Sequence, residues 1–193
     1  PIQLWVRLSL WPEVSIWSNC LRDIPKNYFC PAQNTEHMID THSHIYLKDF
    51  KEDFDEMLAR ASKEGIDEIY MPNIDVDSIP NLKEVAANHL QCKPMMGLHP
   101  GSVKEDYQEQ LAVMFEELEN RKYYAVGEIG MDLYWDKTFI EEQRKAFAIQ
   151  IEKAKELGLP IVIHCREAFD EIFEVLEAYH DDPLYGIFHC FTG

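Results

Sequence analysis

Residues 39–44 read IDTHSH, and this stretch decides which kind of parallel α/β fold the rest of the chain can build. Strand side chains alternate between faces, so in an extended segment the imidazoles of His42 and His44 point the same way and can share one cation. Asp40 falls on that face as well. The alternative is a polar strand end in water, and the residues that other strands contribute decide between the two.

From residue 38 onward, short apolar segments alternate with amphipathic ones. Six strands are predicted at about residues 38–43, 66–72, 94–98, 124–129, 160–164 and 185–189, with five helices between them. A Rossmann-type sheet would require a glycine-rich phosphate loop after its first strand, where this chain has HSH at residues 42–44. A (β/α)₈ TIM barrel therefore fits better, with about six of its eight βα units present.

Polar candidates fall at the carboxyl ends of the predicted strands, where the active site of a TIM barrel collects. They are His42, His44, His99, Glu128, His164 and His189. Glu128 follows an apolar strand, and a charge placed there needs a partner. A lone histidine after an apolar strand is more often a hydrogen-bonded core residue, but His164 and His189 in register with a His-x-His pair favour metal. Four imidazoles and one carboxylate suit two cations roughly 3.5 to 4 Å apart, with Glu128 bridging them.

The composition limits the partners of such a site. The chain has 193 residues, 46% of them hydrophobic, which is enough for one domain with a core, and no apolar run approaches the ~18 residues of a membrane span. The formal net charge of −17 should repel extended duplex DNA, so an anionic substrate must be attracted locally. The five cysteines form neither a metal spacing nor a disulfide framework, which favours a cytoplasmic location. We expect no membrane and no obligate protein partner.

The first 37 residues differ from the rest. They contain three of the four tryptophans and four of the ten prolines, without helix or strand periodicity, and their charges balance. We expect residues 1–37 to be an N-terminal extension outside the barrel and residues 38–193 to form the domain that carries the candidate metal site. A short interaction arm is the alternative.

Five motifs carry a family resemblance. They are DTHSH at residues 40–44, GLHP at 97–100, GEIGMD at 127–132, LPIVIHCREA at 159–168 and HCFTG at 189–193. In this order they closely resemble the signatures of the TatD family of metal-dependent hydrolases, from Met38 to the end of the chain. The resemblance implies an amidohydrolase-like TIM barrel with phosphodiesterase (DNase) activity.

The resemblance also implies how the ligands divide. One metal site would be held by His42, His44 and Glu128, and the other by Glu128, His164 and His189. A further aspartate ligand would follow strand eight, beyond Gly193. Residues 38–193 fall well short of the roughly 250 residues of a typical barrel, so we expect a sequence that is incomplete at its C-terminus.

Three other strand-end residues are assigned catalytic roles beside Glu128. Arg166 could hold a phosphate through two hydrogen bonds, although a salt bridge to a local carboxylate is an alternative. Asp132 and His99 could orient water or the metal-bound imidazoles. Tyr134 and Trp135 could stack on a nucleobase or simply cover the barrel mouth.

These observations predict a metal-dependent hydrolase of phosphodiester bonds, with 3′–5′ exonuclease-like DNase activity on single-stranded or frayed DNA ends and on small phosphodiesters. Two divalent cations, Mg²⁺, Mn²⁺ or Zn²⁺, would bind the phosphate and lower the pKa of a water between them. One alternative is ester hydrolysis of D-aminoacyl-tRNA. Hydrolysis of a cyclic amide is another, although related barrels usually use a carboxylated lysine where this chain has Glu128. From a different class, the chain could be an inactive metal-binding fragment.

Overall fold

The computed structural model describes residues 2–7 and 38–191, with residues 2–7 and 191 described through their backbone alone. The strands are β1 (Ile2–Arg7), β2 (Met38–Asp40), β3 (Ile66–Met71), β4 (Cys92–Pro94), β5 (Val126–Asp132), β6 (Ile161–Arg166) and β7 (Tyr185–Phe191). The helices are α1 (Phe54–Lys63), α2 (Ile79–Asn88), α3 (Tyr107–Asn120), α4 (Ile140–Leu157) and α5 (Phe169–Glu177), with short 3₁₀ helices at Lys48–Phe50 and Pro100–Ser102. No helix in this described part is long and apolar enough to cross a membrane.

Two sheets form the wall of the fold. One has the order β2-β3-β4, and the other has the order β1-β7-β6-β5. All neighbouring strands are parallel except β1, which pairs antiparallel with β7. A parallel bridge between Met96 and Val126 joins the sheets, so β2 to β7 follow one another in sequence order. The predicted parallel α/β fold is confirmed, whereas residues 2–7 and 38–191 do not close a barrel, and the count of eight units stays a prediction.

The N-terminal segment is described only at Ile2–Arg7, which pairs with the outer edge of β7. Residues 8–37, which hold two of its three tryptophans, lie outside the described residues. That residues 1–37 form an extension separate from the barrel stays a prediction.

The third predicted strand, at residues 94–98, begins and ends earlier in the structure, because β4 spans Cys92–Pro94. The chain beyond Pro94 remains extended but changes its partner. Met95 still donates to the carbonyl of Met71 at 2.8 Å, whereas the amide of Met96 donates to the carbonyl of Ala125 at 3.2 Å. The segment therefore connects β3 to the residues before β5 and leads to His99.

The core lies between the strands and the helices that cover them. Helix α4 packs its apolar face against the core, where Phe147 and Ile151 are fully buried. The helix ends at Gly158, which has the left-handed conformation that glycine favours. β5 is buried at all seven of its positions, as expected for a parallel strand covered on both faces.

Close approach of β5 and β6 depends on Gly130. Its φ is +137°, and a Cβ at this position would overlap the carbonyl oxygen of His164. Because glycine alone tolerates this contact and this backbone angle, the two strands can lie side by side at their carboxyl ends. Glu128 of β5 and His164 of β6 are thereby brought together.

Candidate metal centre

Glu128 lies at the centre of a group of imidazoles. The residue is 2% exposed. Its Oε2 lies 3.1 Å from Nε2 of His42, 3.7 Å from Nε2 of His44 and 4.0 Å from Nε2 of His99. Its Oε1 lies 3.0 Å from Nδ1 of His164. Imidazoles from the ends of three strand segments, after β2, after β4 and in β6, therefore converge on one buried carboxylate of β5.

Two groups of potential ligands share Glu128. His42, Glu128 and His189 form the first, and His99, Glu128 and His164 form the second, with the ligand atoms of each within 4.8 Å of one another. The sequence analysis instead combined His44 with His42 and placed His189 with His164. In the structure the rings of His42, which follows β2, and of His189 in β7 stack with their centres 3.5 Å apart.

His44 is held by a residue that the sequence analysis did not single out. Tyr46 donates its hydroxyl proton to the carbonyl of Pro72 at 2.6 Å, so its oxygen can only accept from Nδ1 of His44, which lies 3.1 Å away. A neutral imidazole with its proton on Nδ1 has a lone pair on Nε2. That nitrogen faces Glu128 and lies 3.3 Å from Nε2 of His42.

His164 has a carboxylate at each ring nitrogen. Nε2 lies 2.9 Å from Oδ2 of Asp132, and Nδ1 faces Glu128. Metal-ligating histidines usually donate their other ring N–H to a carboxylate in this way. The arrangement leaves Nδ1 of His164 as the nitrogen able to bind a cation. The contact supports the orienting role of Asp132, which stays a prediction.

His99 is held differently. Its Nδ1 accepts a hydrogen bond from the backbone N–H of Gly101 at 3.0 Å, at the start of the 3₁₀ helix Pro100–Ser102. Burial, together with the neighbouring His164, lowers the pKa of its imidazole to about 4, so the ring is neutral at pH 7. With Nδ1 accepting, the single proton lies on Nε2, which is 3.2 Å from Nδ1 of His164. His99 is therefore better placed to donate a hydrogen bond into the centre than to ligate a metal.

The charges inside the centre are set by burial and by the imidazoles. Burial alone would raise the pKa of Glu128, but hydrogen bonds with His164, His42 and His44 outweigh it and hold that pKa well below its usual range. Burial would lower the pKa of His164, but the hydrogen bond and the charge of Glu128 raise it instead. Burial lowers the pKa of His189 to about 4, helped by His42, so its ring is neutral.

The donor set fits divalent cations. Neutral imidazole and carboxylate are common ligands of such ions. Nδ1 of His42 and Nδ1 of His189 are buried without a hydrogen-bond partner in the part of the chain that the structure describes. Buried ring nitrogens are normally satisfied, and a cation would use lone pairs that no protein group takes.

Two glutamines of α4, which the sequence analysis also missed, hold the loops around the centre. The side chain of Gln150 bonds both backbone groups of Leu98, at 2.7 and 3.3 Å, next to His99. Gln143 does the same for Asp132, at 2.9 and 3.2 Å. The sequence contains a signal for both glutamines, because these two polar residues lie two turns apart on the otherwise apolar face of the helix.

Arg166 was predicted to bind phosphate or, alternatively, to pair with a local carboxylate, and among the described residues no salt bridge of Arg166 is found. Its guanidinium lies over the rings of Tyr134 and Trp135, 3.9 and 5.1 Å from their centres. The predicted phosphate contact stays a prediction.

The chain matches known proteins along most of its length. The sequence model of TatD related DNases matches residues 39–193. A protein of Bacillus subtilis named uncharacterized metal-dependent hydrolase YabD is 33% identical over 156 residues, which are 81% of this chain and 61% of that protein. The 3′-5′ ssDNA/RNA exonuclease TatD of Shigella flexneri is 27% identical over 156 residues, which are 81% of this chain and 60% of the exonuclease.

Solved structures show the same fold. The crystal structure of YjjV, a TatD homologue from Escherichia coli, superposes with a TM-score of 0.72 at 31% identity, covering 81% of this chain and 61% of that one. A TatD family hydrolase from Entamoeba histolytica gives a TM-score of 0.68 at 22% identity, over 81% and 59% of the two chains. This chain spans about 60% of the length of these relatives. Its sequence and its fold together place it in the TatD family.

Proposed function

We propose that this protein is a metal-dependent hydrolase that cleaves phosphodiester bonds at single-stranded or frayed ends of DNA. The observation that carries the proposal is the buried Glu128 carboxylate, around which imidazoles from several strands offer lone pairs. Relatives named as metal-dependent hydrolases and as 3′-5′ ssDNA/RNA exonucleases support the reaction class.

Five residues are proposed as metal ligands. His42, His44, Glu128, His164 and His189 would hold two divalent cations, of which Mg²⁺, Mn²⁺ and Zn²⁺ all suit such a donor set. When bound, the cations would supply Lewis-acid stabilisation of the phosphate and a more acidic water. Glu128 would contribute to both sites, because its two carboxylate oxygens lie close to His42 and to His164.

The remaining side chains act on the substrate or on the ligands. His99 would donate its Nε2–H to a phosphate oxygen, since its other nitrogen is occupied by Gly101. Asp132 would keep the proton of His164 on Nε2 and so leave Nδ1 free to ligate. Tyr46 would do the equivalent for His44. Each of these bonds fixes a tautomer before substrate arrives, which preorganises the centre.

The preference for ends follows from charge. A chain with a formal net charge of −17 repels the phosphate array of a long duplex, whereas cations at a recessed centre attract one phosphate at close range. Unpaired ends can enter such a centre without bringing the rest of the duplex into contact with the acidic surface.

The test compares three substrates with and without a chelator. We expect Mn²⁺-dependent loss of nucleotides from single-stranded DNA, slower attack on blunt duplex and none inside the duplex. Glu128→Ala should abolish the activity, and His180→Ala, at a half-exposed side chain after α5, should leave it unchanged. Chelator-sensitive cleavage confined to D-aminoacyl-tRNA would reassign the protein as an esterase. Metal binding without hydrolysis of any substrate would make it a non-catalytic module.

A further inference from the structure

An exposed aromatic pair lies beside the metal centre and takes no part in the chemistry proposed for it. Trp135 is 76% exposed and Tyr134 is 47% exposed, in the loop that follows β5. Their rings meet edge to face, with centres 4.7 Å apart. The Arg166 guanidinium, from the end of β6, lies against both rings. We refer to Tyr134, Trp135 and Arg166 as the aromatic platform.

The platform is tied to the centre through Asp132. One oxygen of Asp132, Oδ1, accepts from the backbone N–H of Tyr134 at 3.0 Å. The other, Oδ2, lies 2.9 Å from Nε2 of His164. The same carboxylate therefore contacts both a proposed ligand and the start of the platform loop, which links the platform to the centre.

A cavity of about 280 Å³ opens next to Trp135. Its wall includes Asp132, Phe139 and Lys104. This volume lies close to the lower end of the range of about 300–1,000 Å³ that is typical of small-ligand clefts. Lys104 lies over the ring of Phe139 and 3.6 Å from Asp136, so this wall carries an ion pair.

We propose that the aromatic platform and this cavity form a stacking subsite for one unpaired nucleobase of a strand whose phosphodiester lies at the Glu128 centre. The inference rests on the proposed function and adds a specificity determinant to it. Every nucleobase has a flat face that can stack on an indole, so the subsite accepts any sequence. A paired base inside a duplex has both faces covered by its neighbours and cannot reach Trp135. Selection of single strands thus has a source besides charge.

The exposure of Trp135 argues against a purely structural role. A side chain that only covered the mouth of the fold would be packed against it, whereas three quarters of this residue is in solvent. The guanidinium of Arg166 also favours a nucleic acid, because it offers positive charge beside the two rings on a strongly acidic protein. An aromatic pair with an arginine against it matches the composition of single-strand binding surfaces.

Binding without cleavage tests the subsite. An oligothymidylate with phosphorothioate linkages, and a matched strand whose 3′-terminal nucleotides are abasic, are titrated by fluorescence anisotropy in Mg²⁺. For Trp135→Ala we expect Kd for the intact strand to rise about tenfold, in line with the loss of one stacked base. Trp135→Phe should keep most of the affinity. Leu90→Ala, at an 86% exposed residue before β4, should match the wild type.

The abasic strand separates stacking from structure. The wild type and Trp135→Ala should bind it equally, because it offers no base to the platform. Equal weakening of both strands by Trp135→Ala, or no weakening of either, would overturn the inference. Base-dependent binding without chelator-sensitive hydrolysis of an ordinary oligonucleotide would support the subsite and refute the proposed function. If Trp135→Ala changed neither the hydrolysis nor the binding of the intact strand, the subsite would be refuted and the proposed function would stand.

Discussion

Glu128 and Glu117 are two carboxylates whose pKa values are both lowered, by different partners. Glu117 lies near the end of α3, with its side chain 20% exposed, and forms ion pairs with Lys83 of α2 and with Arg121. Burial alone would raise the pKa of Glu117, but hydrogen bonds from Lys83 and Tyr123 outweigh it. This is an ordinary surface arrangement in which permanent cations neutralise an acid.

Glu128 is far more buried and has no such cation. Within residues 38–191, the ion pairs of Glu128 are with histidines alone. Lysine and arginine remain charged at physiological pH, whereas a neutral imidazole offers a lone pair. A buried carboxylate surrounded by lone-pair donors is suited to share a metal cation, whereas Glu117 already has its counter-charges. The kind of partner therefore distinguishes the proposed site from the scaffold.

The largest expected effect comes from neutralising each carboxylate in turn. Mn²⁺ at about 1,000 times its Kd should stabilise the wild type by about 4 kcal/mol, because the ion binds only the folded chain. Glu128→Gln should lose this stabilisation, since the amide cannot bridge cations. Glu117→Gln should retain it. The measurement is thermal unfolding with Mn²⁺ and with chelator, together with the metal content of each variant.

The result in chelator is equally informative. Without metal, Glu128→Gln should unfold earlier than the wild type, because the pKa of Glu128 is lower in the folded state and its ionised carboxylate therefore stabilises the fold at neutral pH. The effect of metal is then the difference between the unfolding of each variant with Mn²⁺ and with chelator. Equal metal-induced stabilisation of Glu128→Gln and Glu117→Gln would mean that the difference between the two carboxylates has nothing to do with metal.

The next effect concerns the glycine that lets Glu128 meet His164. Gly130→Ala should destabilise the protein by about 2–3 kcal/mol, because the new methyl group overlaps the carbonyl of His164 at a positive φ. Gly158→Ala is the matched control, since φ there is +64° but nothing lies within 4 Å, and it should cost about 1 kcal/mol. Denaturant unfolding of both variants measures the difference. Equal losses would show that the backbone angle alone matters.

The sequence was sufficient to predict at which strand ends the candidate ligands lie. Strand periodicity and the apolar runs before Glu128 and His164 place them at one edge of a parallel sheet, where the structure has them. The stacking of His42 on His189 was not predictable, because the two residues come from strands in different sheets. No local sequence pattern encodes how the two sheets are placed relative to one another.

The role of His99 illustrates a second kind of limit. Its sequence motif marks it as a candidate, but its protonation depends on the hydrogen bond from Gly101 and on burial by distant segments. The same holds for Tyr46, whose function is visible only once its proton is known to go to Pro72. Hydrogen-bond direction is a property of the assembled structure.

A smaller effect is expected from the carboxylate that supports His164. Asp132→Asn should weaken metal binding by about 10–100-fold, because the imidazole loses the group that fixes its tautomer. Asp136→Asn, at an exposed residue of the same loop that pairs with Lys104, should bind metal as the wild type does. Titration of the metal-free variants with Mn²⁺, followed by calorimetry, gives both constants. Unchanged affinity in Asp132→Asn would remove Asp132 from the centre.

The smallest effect is the pH dependence that Glu117 contributes. Its pKa is lower in the folded state than in the unfolded chain, where a glutamate titrates near 4.3, so the contribution is present above that pH and is lost as the pH falls through the folded value. The side chain is partly in solvent, so the contribution should be under about 1 kcal/mol. Unfolding of metal-free protein between pH 7 and pH 3 should therefore show a slightly shallower loss of stability in Glu117→Gln. Since Glu117 has permanent cations as partners, adding metal should not alter the difference in stability between the wild type and Glu117→Gln. If metal did alter it, the two carboxylates would be coupled and could not be treated as separate kinds of site.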